Sequence, residues 1–238
     1  MSVPRLIPIH LISTAAVALF SLEKELPEIS ASHLTPLSDG VRGYASSKWA
    51  NEIFLEKIAA THHVPVVIHR AVNIVGDGAP ETDLMTVLNK YTKTLGAVPR
   101  LGETTVDGDL DIVEVEDVSR GVVAAALGTL LYNGNGHGNG HGNGHGNGDG
   151  NGDENGSSAN GISLITILNY CNDVKVKPHE IKRYMEERLG ENFQEWPLET
   201  WLDKAHELGL NRMVEFFIRD SVREGKPISS PVLRKGMV

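Results

Sequence analysis

The sequence predicts an α/β fold built on a parallel sheet and followed by a mainly helical C-terminal part. Two short, β-branched apolar runs, at residues 6–12 and 64–69, flank a segment with helical character that runs from 43 to about 60. A strand, a helix and a second strand in this order are typical of parallel sheets. After residue 178 most of the chain has the spacing and capping signals of helices.

Local sequence signals predict the first strand and the loop that follows it. Residues 6–12 form an apolar run that ends in two hydroxyl residues, Ser13 and Thr14. In open α/β sheets, ligands bind at the carboxyl ends of strands, although such hydroxyls also serve as ordinary turn or capping groups. The polar, proline-containing stretch at 21–40 predicts a surface loop or lid.

The middle of the chain continues the alternation of strands and helices. Glu116 and Asp117 place negative charge in the first turn of one predicted helix, where the helix dipole favours it. The elements predicted here are a loop at 70–78, an amphipathic helix at 83–95, a strand at 109–113 and a helix at 116–131.

At Asn133 the composition changes to a repetitive tract of Gly, Asn and His. Such a tract buries no apolar surface and loses much entropy on ordering, so it predicts a disordered insertion. Its histidines recur every fourth residue, but a flexible chain offers no preformed metal geometry, and no metal site is predicted. The predicted organisation is therefore an α/β unit at 1–131, the insertion at 132–161 and a mainly helical unit at 162–238.

The last unit begins with a possible strand at 162–168, and helices are predicted at 178–189, 198–208 and 211–223. Its aromatic residues are expected in the core, with part of this apolar surface lining a substrate channel as the alternative. They are Trp196, Trp201, Phe216 and Phe217.

Charge and cysteine content exclude several classes of function. The net charge of −9 argues against a nucleic-acid partner, which would need clustered Lys and Arg. A single cysteine, Cys171, allows no internal disulfide and indicates a reducing compartment, so a cytoplasmic location is expected. The apolar run at 6–20 loosely resembles a secretory signal, but it is interrupted by polar residues and is too short to span a bilayer.

Tyr44 and Lys48 are the most informative pair in the sequence. They lie four residues apart in the segment GYASSKWANE, and this spacing places both side chains on one face of a helix. An ammonium beside a phenol favours the phenolate and lowers the pKa of the tyrosine, which then serves as a general acid or base. The alternative is a partly exposed ring beside a solvated amine.

The strand end STAAV, the Tyr44 and Lys48 spacing, and the strand that ends at Arg70 together resemble the extended short-chain dehydrogenases. The segments GYASSKWANE, VPVVIHRAVNIVG and EWPLETWLDKAHELGL resemble, more narrowly, the terminal thioester-reductase domains of fungal hybrid polyketide-nonribosomal peptide synthetases. The resemblance implies a partial Rossmann-like sheet as the catalytic half and a mainly helical C-terminal substrate subdomain.

The same resemblance implies roles for five residues. Thr14, or its neighbour Ser13, would hydrogen-bond the substrate carbonyl, and Tyr44 would donate the proton. Lys48 would lower the pKa of Tyr44 and bind the nicotinamide ribose, and Arg70 is a further cofactor-binding candidate. The implied reaction is the NADPH-dependent reduction of a thioester on the phosphopantetheine arm of a carrier protein, which gives an aldehyde or alcohol.

The sequence departs from the family pattern in one respect. It contains no G-x-G-x-x-G or G-x-x-G-x-x-G turn between a strand and a helix to hold the cofactor pyrophosphate. The amino-terminal nucleotide-binding half is therefore expected to be missing. Two alternatives stay open: a non-redox Dieckmann cyclase that uses the same Tyr and Lys to release a tetramate, and a catalytically silent remnant or docking module. A hydrolytic thioesterase is disfavoured, because no G-x-S-x-G elbow is present.

Overall fold

In a computed structural model of the protein, the described residues are 7–21, 23, 25–36, 43–101, 109–132, 164–172, 175–223 and 232–235. The Gly/Asn/His tract lies outside them, so the disordered insertion stays a prediction. No helix within these ranges is long and apolar enough to cross a membrane.

Within these ranges the chain forms short strands and longer helices. The strands are β1 Ile9–Thr14, β2 Glu25–Leu26, β3 Val66–Ala71, β4 Asn73–Val75, β5 Ala97–Arg100, β6 Leu110–Glu114, β7 Ile165–Tyr170, β8 Lys175–Val176, β9 Gln194–Pro197 and β10 Val232–Leu233. The helices are α1 Gly43–His62, α2 Leu84–Leu95, α3 Val115–Tyr132, α4 Ile181–Leu189, α5 Leu198–Glu207 and α6 Arg212–Arg223. Two 3₁₀ helices, Ala15–Phe20 and Pro178–Glu180, complete the list.

A parallel three-stranded sheet in the order β1, β3, β7 positions the candidate site. The helix α1 forms the crossover from β1 to β3, as the alternating pattern predicts. The central strand β3 is buried at every position, because it has a neighbour on each side and is covered on both faces. Among the described strands none pairs with the outer edge of β1, whose Ile9 and Ile12 are partly exposed.

A second core joins the middle of the chain to its C-terminal helices. The strand β5 pairs in parallel with β9, and the buried indole nitrogen of Trp201 donates to the carbonyl oxygen of Ala97 at 2.8 Å. Trp201 is therefore a core residue, whereas Phe216 and Phe217 are exposed. The fully buried members of this core also include Met85, Val98, Met185, Leu202 and Ala205.

Several predicted elements are confirmed with small shifts, and others were not foreseen. The predicted helix at 83–95 is α2, with Asp83 as its N-cap accepting from the amide of Thr86. The stretch at 70–78, predicted as a loop, contains β4, and neither β5 nor β9 was expected. The strand β7 joins the sheet of β1 and β3. The division of the chain at residues 131 and 161 stays a prediction.

The segment at 25–36, predicted as a surface loop or lid, is anchored on both sides. Leu26, Ala31 and Leu34 are buried within it. The indole nitrogen of Trp49 donates to the carbonyl oxygen of Ala31, and the side-chain amide of Asn169 donates to that of Leu26. These contacts bind the segment to α1 and β7. The part of the predicted loop at 25–36 is therefore packed against the fold, which disfavours a lid that moves freely.

Candidate functional site

Tyr44 and Lys48 lie on the first two turns of α1, near the carboxyl end of β1. The Nζ atom of Lys48 is 5.8 Å from the centre of the Tyr44 ring and donates to the main-chain carbonyl oxygen of Ile12 at 3.0 Å. Tyr44 is 63% exposed, so most of this residue is open to solvent. The structure thus brings the two residues together, as the helical spacing indicates.

The carbonyl of Ile12 lies on the open side of the sheet. The amide of Ile9 donates to Pro65 on the chain leading into β3, and backbone groups of a parallel strand alternate in direction from one residue to the next. Ile12, three residues along, therefore turns its carbonyl away from β3. Lys48 occupies this edge position where no described strand pairs with β1.

Thr14 follows at the end of β1, two residues beyond Ile12. Its hydroxyl oxygen accepts from the amide of Ala16 at 3.2 Å and caps the 3₁₀ helix Ala15–Phe20. A threonine hydroxyl that accepts one bond keeps its own proton for another partner. Thr14 can therefore cap the helix and donate to a substrate oxygen at the same time.

Ser13 lies on the opposite face of the strand from Thr14. It is buried, and its hydroxyl donates to Oε1 of Glu52 at 2.5 Å. Successive side chains of a strand point to opposite faces, so neighbouring hydroxyls cannot share one site. Of the two hydroxyls predicted to meet the substrate carbonyl, only Thr14 has surroundings compatible with that role.

Arg70, predicted as a cofactor-binding residue, is fully buried in β3. Its Nη2 atom lies 2.7 Å from Oε2 of Glu52, its Nε atom donates to both oxygens of that carboxylate, and its Nη1 donates to the carbonyl oxygen of Pro27. The role in cofactor binding stays a prediction. Each of these contacts joins Arg70 to a neighbouring protein segment.

Glu52 is the member of this cluster that sequence reasoning missed. It has no exposed surface, although glutamate is rarely buried without a partner. A usable signal was present, because Glu52 follows Tyr44 and Lys48 at the same four-residue interval on one helix face.

A row of three rings crosses the other face of the sheet. The Nδ1 atom of His10 lies 2.9 Å from Nε2 of His69, whose Nδ1 lies 2.8 Å from the hydroxyl of Tyr170. Burial, and secondarily the charge of His10, lowers the pKa of His69 to about 4. Burial also lowers the pKa of His10 and raises that of Tyr170. The row is therefore uncharged at neutral pH, and the sequence analysis did not anticipate it.

The site fits one end of a nicotinamide cofactor. Lys48 and Tyr44 offer an amine and a hydroxyl to a ribose, at the carboxyl end of a parallel strand. In the described part of the chain, no glycine-rich turn leads from a strand directly into a helix. Gly76 and Gly78 follow β4, but α2 begins only at Leu84, and the Asp83 carboxylate at its N-terminus would repel phosphate. The described residues therefore fit the nicotinamide ribose and not the pyrophosphate.

No three His, Cys, Asp or Glu side chains of the described ranges group into a potential metal site. The tract histidines lie outside those ranges. Cys171 is buried, and burial raises the pKa of its thiol, which disfavours the nucleophilic thiolate. Tyr44, Lys48 and Thr14 stay the predicted catalytic residues.

The fold and the site define a reductase-like α/β domain of the extended short-chain dehydrogenase type. Residues 1–122 match the NAD-binding family described as male sterility protein, and the chain belongs to this family. The predicted family resemblance is thereby confirmed.

The curated relatives of this chain include fungal hybrid synthetases. The PKS-NRPS hybrid synthetase psoA of Aspergillus fumigatus is 32% identical over 99% of this chain, and the hybrid PKS-NRPS synthetase LUC5 of a Fusarium species is 30% identical over 98%. The cyclo-acetoacetyl-L-tryptophan synthase of Aspergillus oryzae is 31% identical over 89% of the chain. The chain spans only 5% of the length of each of these three relatives.

Solved structures show the same fold at low sequence identity. The UDP-glucuronic acid 4-epimerase of Bacillus cereus superposes with a TM-score of 0.51 at 17% identity, over 80% of this chain and 48% of that one. The dTDP-glucose 4,6-dehydratase DesIV of Streptomyces venezuelae gives a TM-score of 0.50 at 16% identity, over 80% and 47% of the two chains. The predicted α/β, Rossmann-like fold class is therefore confirmed.

Proposed function

We propose that the chain is a release domain that reduces a carrier-bound polyketide-peptide thioester with NADPH, giving an aldehyde or, after a second round, an alcohol. The observation that carries the proposal is the placement of Tyr44 and Lys48 beside the carboxyl end of β1. Membership of an NAD-binding family and similarity to hybrid synthetases support it.

The roles of the side chains follow from their contacts. Tyr44 donates its hydroxyl proton to the carbonyl oxygen as negative charge develops there, and Thr14 donates a second hydrogen bond to the same oxygen. Lys48 uses one N–H to hold the Ile12 carbonyl, and its amine lies near the Tyr44 ring. Its remaining donors would be available to a ribose hydroxyl of the cofactor. When bound, NADPH would supply the hydride for the carbonyl carbon. The carbon–sulfur bond of the resulting hemithioacetal would then break, which releases the phosphopantetheine thiol and leaves the aldehyde.

The exposure of Tyr44 suits a tethered substrate. A thioester on a phosphopantetheine arm stays attached to its carrier protein, so the reacting carbonyl must be reached from the surface. Tyr44 is 63% exposed, and Lys48 lies at a strand edge that no described strand covers. We accordingly propose a carrier protein as partner and a cytoplasmic location, as the single cysteine indicates.

A Dieckmann cyclase is the second candidate. The observation that favours it is the similarity to the cyclo-acetoacetyl-L-tryptophan synthase, whose name describes a cyclised product. In this reaction Tyr44 and Lys48 would assist the ring closure of a tethered β-ketoamide to a tetramate, without hydride transfer. The same side chains serve either reaction, so the requirement for a nicotinamide distinguishes the two.

The substitution Tyr44→Phe tests the role of the phenol in product release. It removes one hydroxyl from an exposed side chain, so stability should change by less than about 0.5 kcal/mol. With an added amino-terminal nucleotide-binding half, we expect release of product from the carrier to fall by about 100-fold or more. Thr61→Ala, at an exposed position of the same helix, is the matched control. Unchanged release by Tyr44→Phe would remove Tyr44 from the mechanism.

A further inference from the structure

Three residues of α1 form a stripe at four-residue intervals: Tyr44, Lys48 and Glu52. The last two bind consecutive residues at the end of β1. Lys48 donates to the carbonyl of Ile12, and Glu52 accepts from the hydroxyl of Ser13. Two successive turns of the helix are therefore attached to two successive residues of the strand.

Glu52 is also bound by a residue of a second strand, Arg70 in β3. Glu52 and Arg70 both have no exposed surface, and the guanidinium reaches both carboxylate oxygens. Removing two charges from water is costly, and an apolar pair of similar volume would often serve stability as well or better. The charged pair instead restricts the orientation of the two side chains, because planar guanidinium and carboxylate groups pair in few orientations.

The position of Lys48 is sensitive to the rotation of α1. Its amine lies on the order of 8 Å from the helix axis, given a Cα radius of about 2.3 Å and an extended side chain. A rotation of about 20° would displace that amine by about 3 Å, which is enough to break its 3.0 Å hydrogen bond to Ile12.

We propose that Glu52, held by Ser13 and Arg70, is a positioning residue that fixes the rotation of α1 and thereby keeps Lys48 on the Ile12 carbonyl. In this arrangement Ser13 and Arg70 act on Lys48 through their contacts with Glu52. The importance of the arrangement for release rests on the proposed function, whereas the arrangement itself is tested without substrate or cofactor.

The test measures the reactivity of the Lys48 amine. The whole 238-residue chain is treated with an amine-acetylating reagent, and the labelling rate of Lys48 is followed by mass spectrometry, with exposed Lys57 of the same helix as internal reference. In Glu52→Gln we expect the rate at Lys48, relative to Lys57, to rise several-fold. In Ser13→Ala, which removes one hydrogen bond, we expect a smaller rise.

Glu56→Gln is the matched control. It makes the same substitution one turn further along, where the carboxylate accepts from Ser30 and not from β1, so Lys48 should label at the wild-type rate. A wild-type rate in folded Glu52→Gln would overturn the proposal, as would an equal rise in Glu56→Gln. Near-UV circular dichroism verifies folding, and if Glu52→Gln does not fold, Ser13→Ala decides, with a wild-type rate counting against the proposal.

This outcome is independent of catalysis. A chain that shows the expected labelling but releases no product would contradict the proposed function and leave the positioning role of Glu52 intact. Product release by the chain, together with unchanged Lys48 labelling in the variants, would contradict the positioning role of Glu52 and leave the proposed function intact.

Discussion

His69 is expected to make the stability of the fold depend on pH. It is fully buried between His10 and Tyr170, and its pKa falls from 6.5 to about 4. In the unfolded chain the imidazole binds a proton near pH 6.5, while the folded chain leaves it neutral. Because the unfolded state binds more protons between these values, lowering the pH from 6.5 towards 4 favours unfolding.

The magnitude follows from the same pKa values. One pKa unit corresponds to about 1.4 kcal/mol, so the complete effect of His69 is about 3 kcal/mol as an upper limit. Between pH 7.5 and pH 5, where most carboxylates stay ionised, the expected loss in the free energy of unfolding is about 2 kcal/mol. The lowered pKa of His10 adds to the loss in the same direction.

Urea denaturation monitored by tryptophan fluorescence at several pH values in this range measures the effect. His69→Gln is the comparison, because it keeps a polar side chain between His10 and Tyr170 but does not titrate. We expect the variant to be less stable at pH 7.5 and to lose much less stability on acidification. Parallel pH profiles for the two proteins would refute the assignment of the effect to His69.

Three further changes test a close packing contact, the buried ion pair and the predicted insertion. Gly121→Ala would place a Cβ atom 2.3 Å from Cε1 of Tyr170, so we expect a loss of about 1–3 kcal/mol in urea denaturation. Arg70→Met would leave the Glu52 carboxylate buried without its partner, at a cost of about 3–5 kcal/mol in the same assay. Deletion of residues 133–156 should change the thermal midpoint little, since the cost of loop closure varies slowly with length.

For each of these changes, a control or an outcome can contradict the expected effect. Gly128→Ala controls for helix propensity, because its Cβ would meet nothing within 4 Å, and an equal loss there would dismiss the clash. Arg120→Met, which removes an exposed pair with Asp117, should cost less than about 1 kcal/mol. A loss of several kcal/mol on deletion would contradict a disordered insertion.

The elements that could be predicted from the sequence are those with strong local signals. The helix α2 begins at its Asp83 cap and ends at Gly96, which has a positive φ of 64°. The strands β5 and β9 could not be found in this way, because each has four residues and contains a proline. Their pairing joins residues nearly a hundred positions apart, and only the completed core around Trp201 brings them together.

In the candidate site, too, some features follow from local sequence patterns and others do not. The proximity of Tyr44 and Lys48 follows from helical spacing alone, and the structure has it. The separation of Ser13 from Thr14 follows from strand alternation, so their placement on opposite faces is predictable from the sequence once the strand is recognised. The burial of Arg70 against Glu52 depends on how α1 crosses β3, which no local pattern specifies.

The most direct test of the release function is the number of NADPH molecules oxidised for each product released from a loaded carrier protein. The chain is assayed with an added amino-terminal nucleotide-binding half, and absorbance at 340 nm is compared with product mass. We expect one equivalent for an aldehyde or two for an alcohol, and no release without the nicotinamide. Release of a cyclised product in the complete absence of nicotinamide would contradict the reductive account and establish the cyclase in its place.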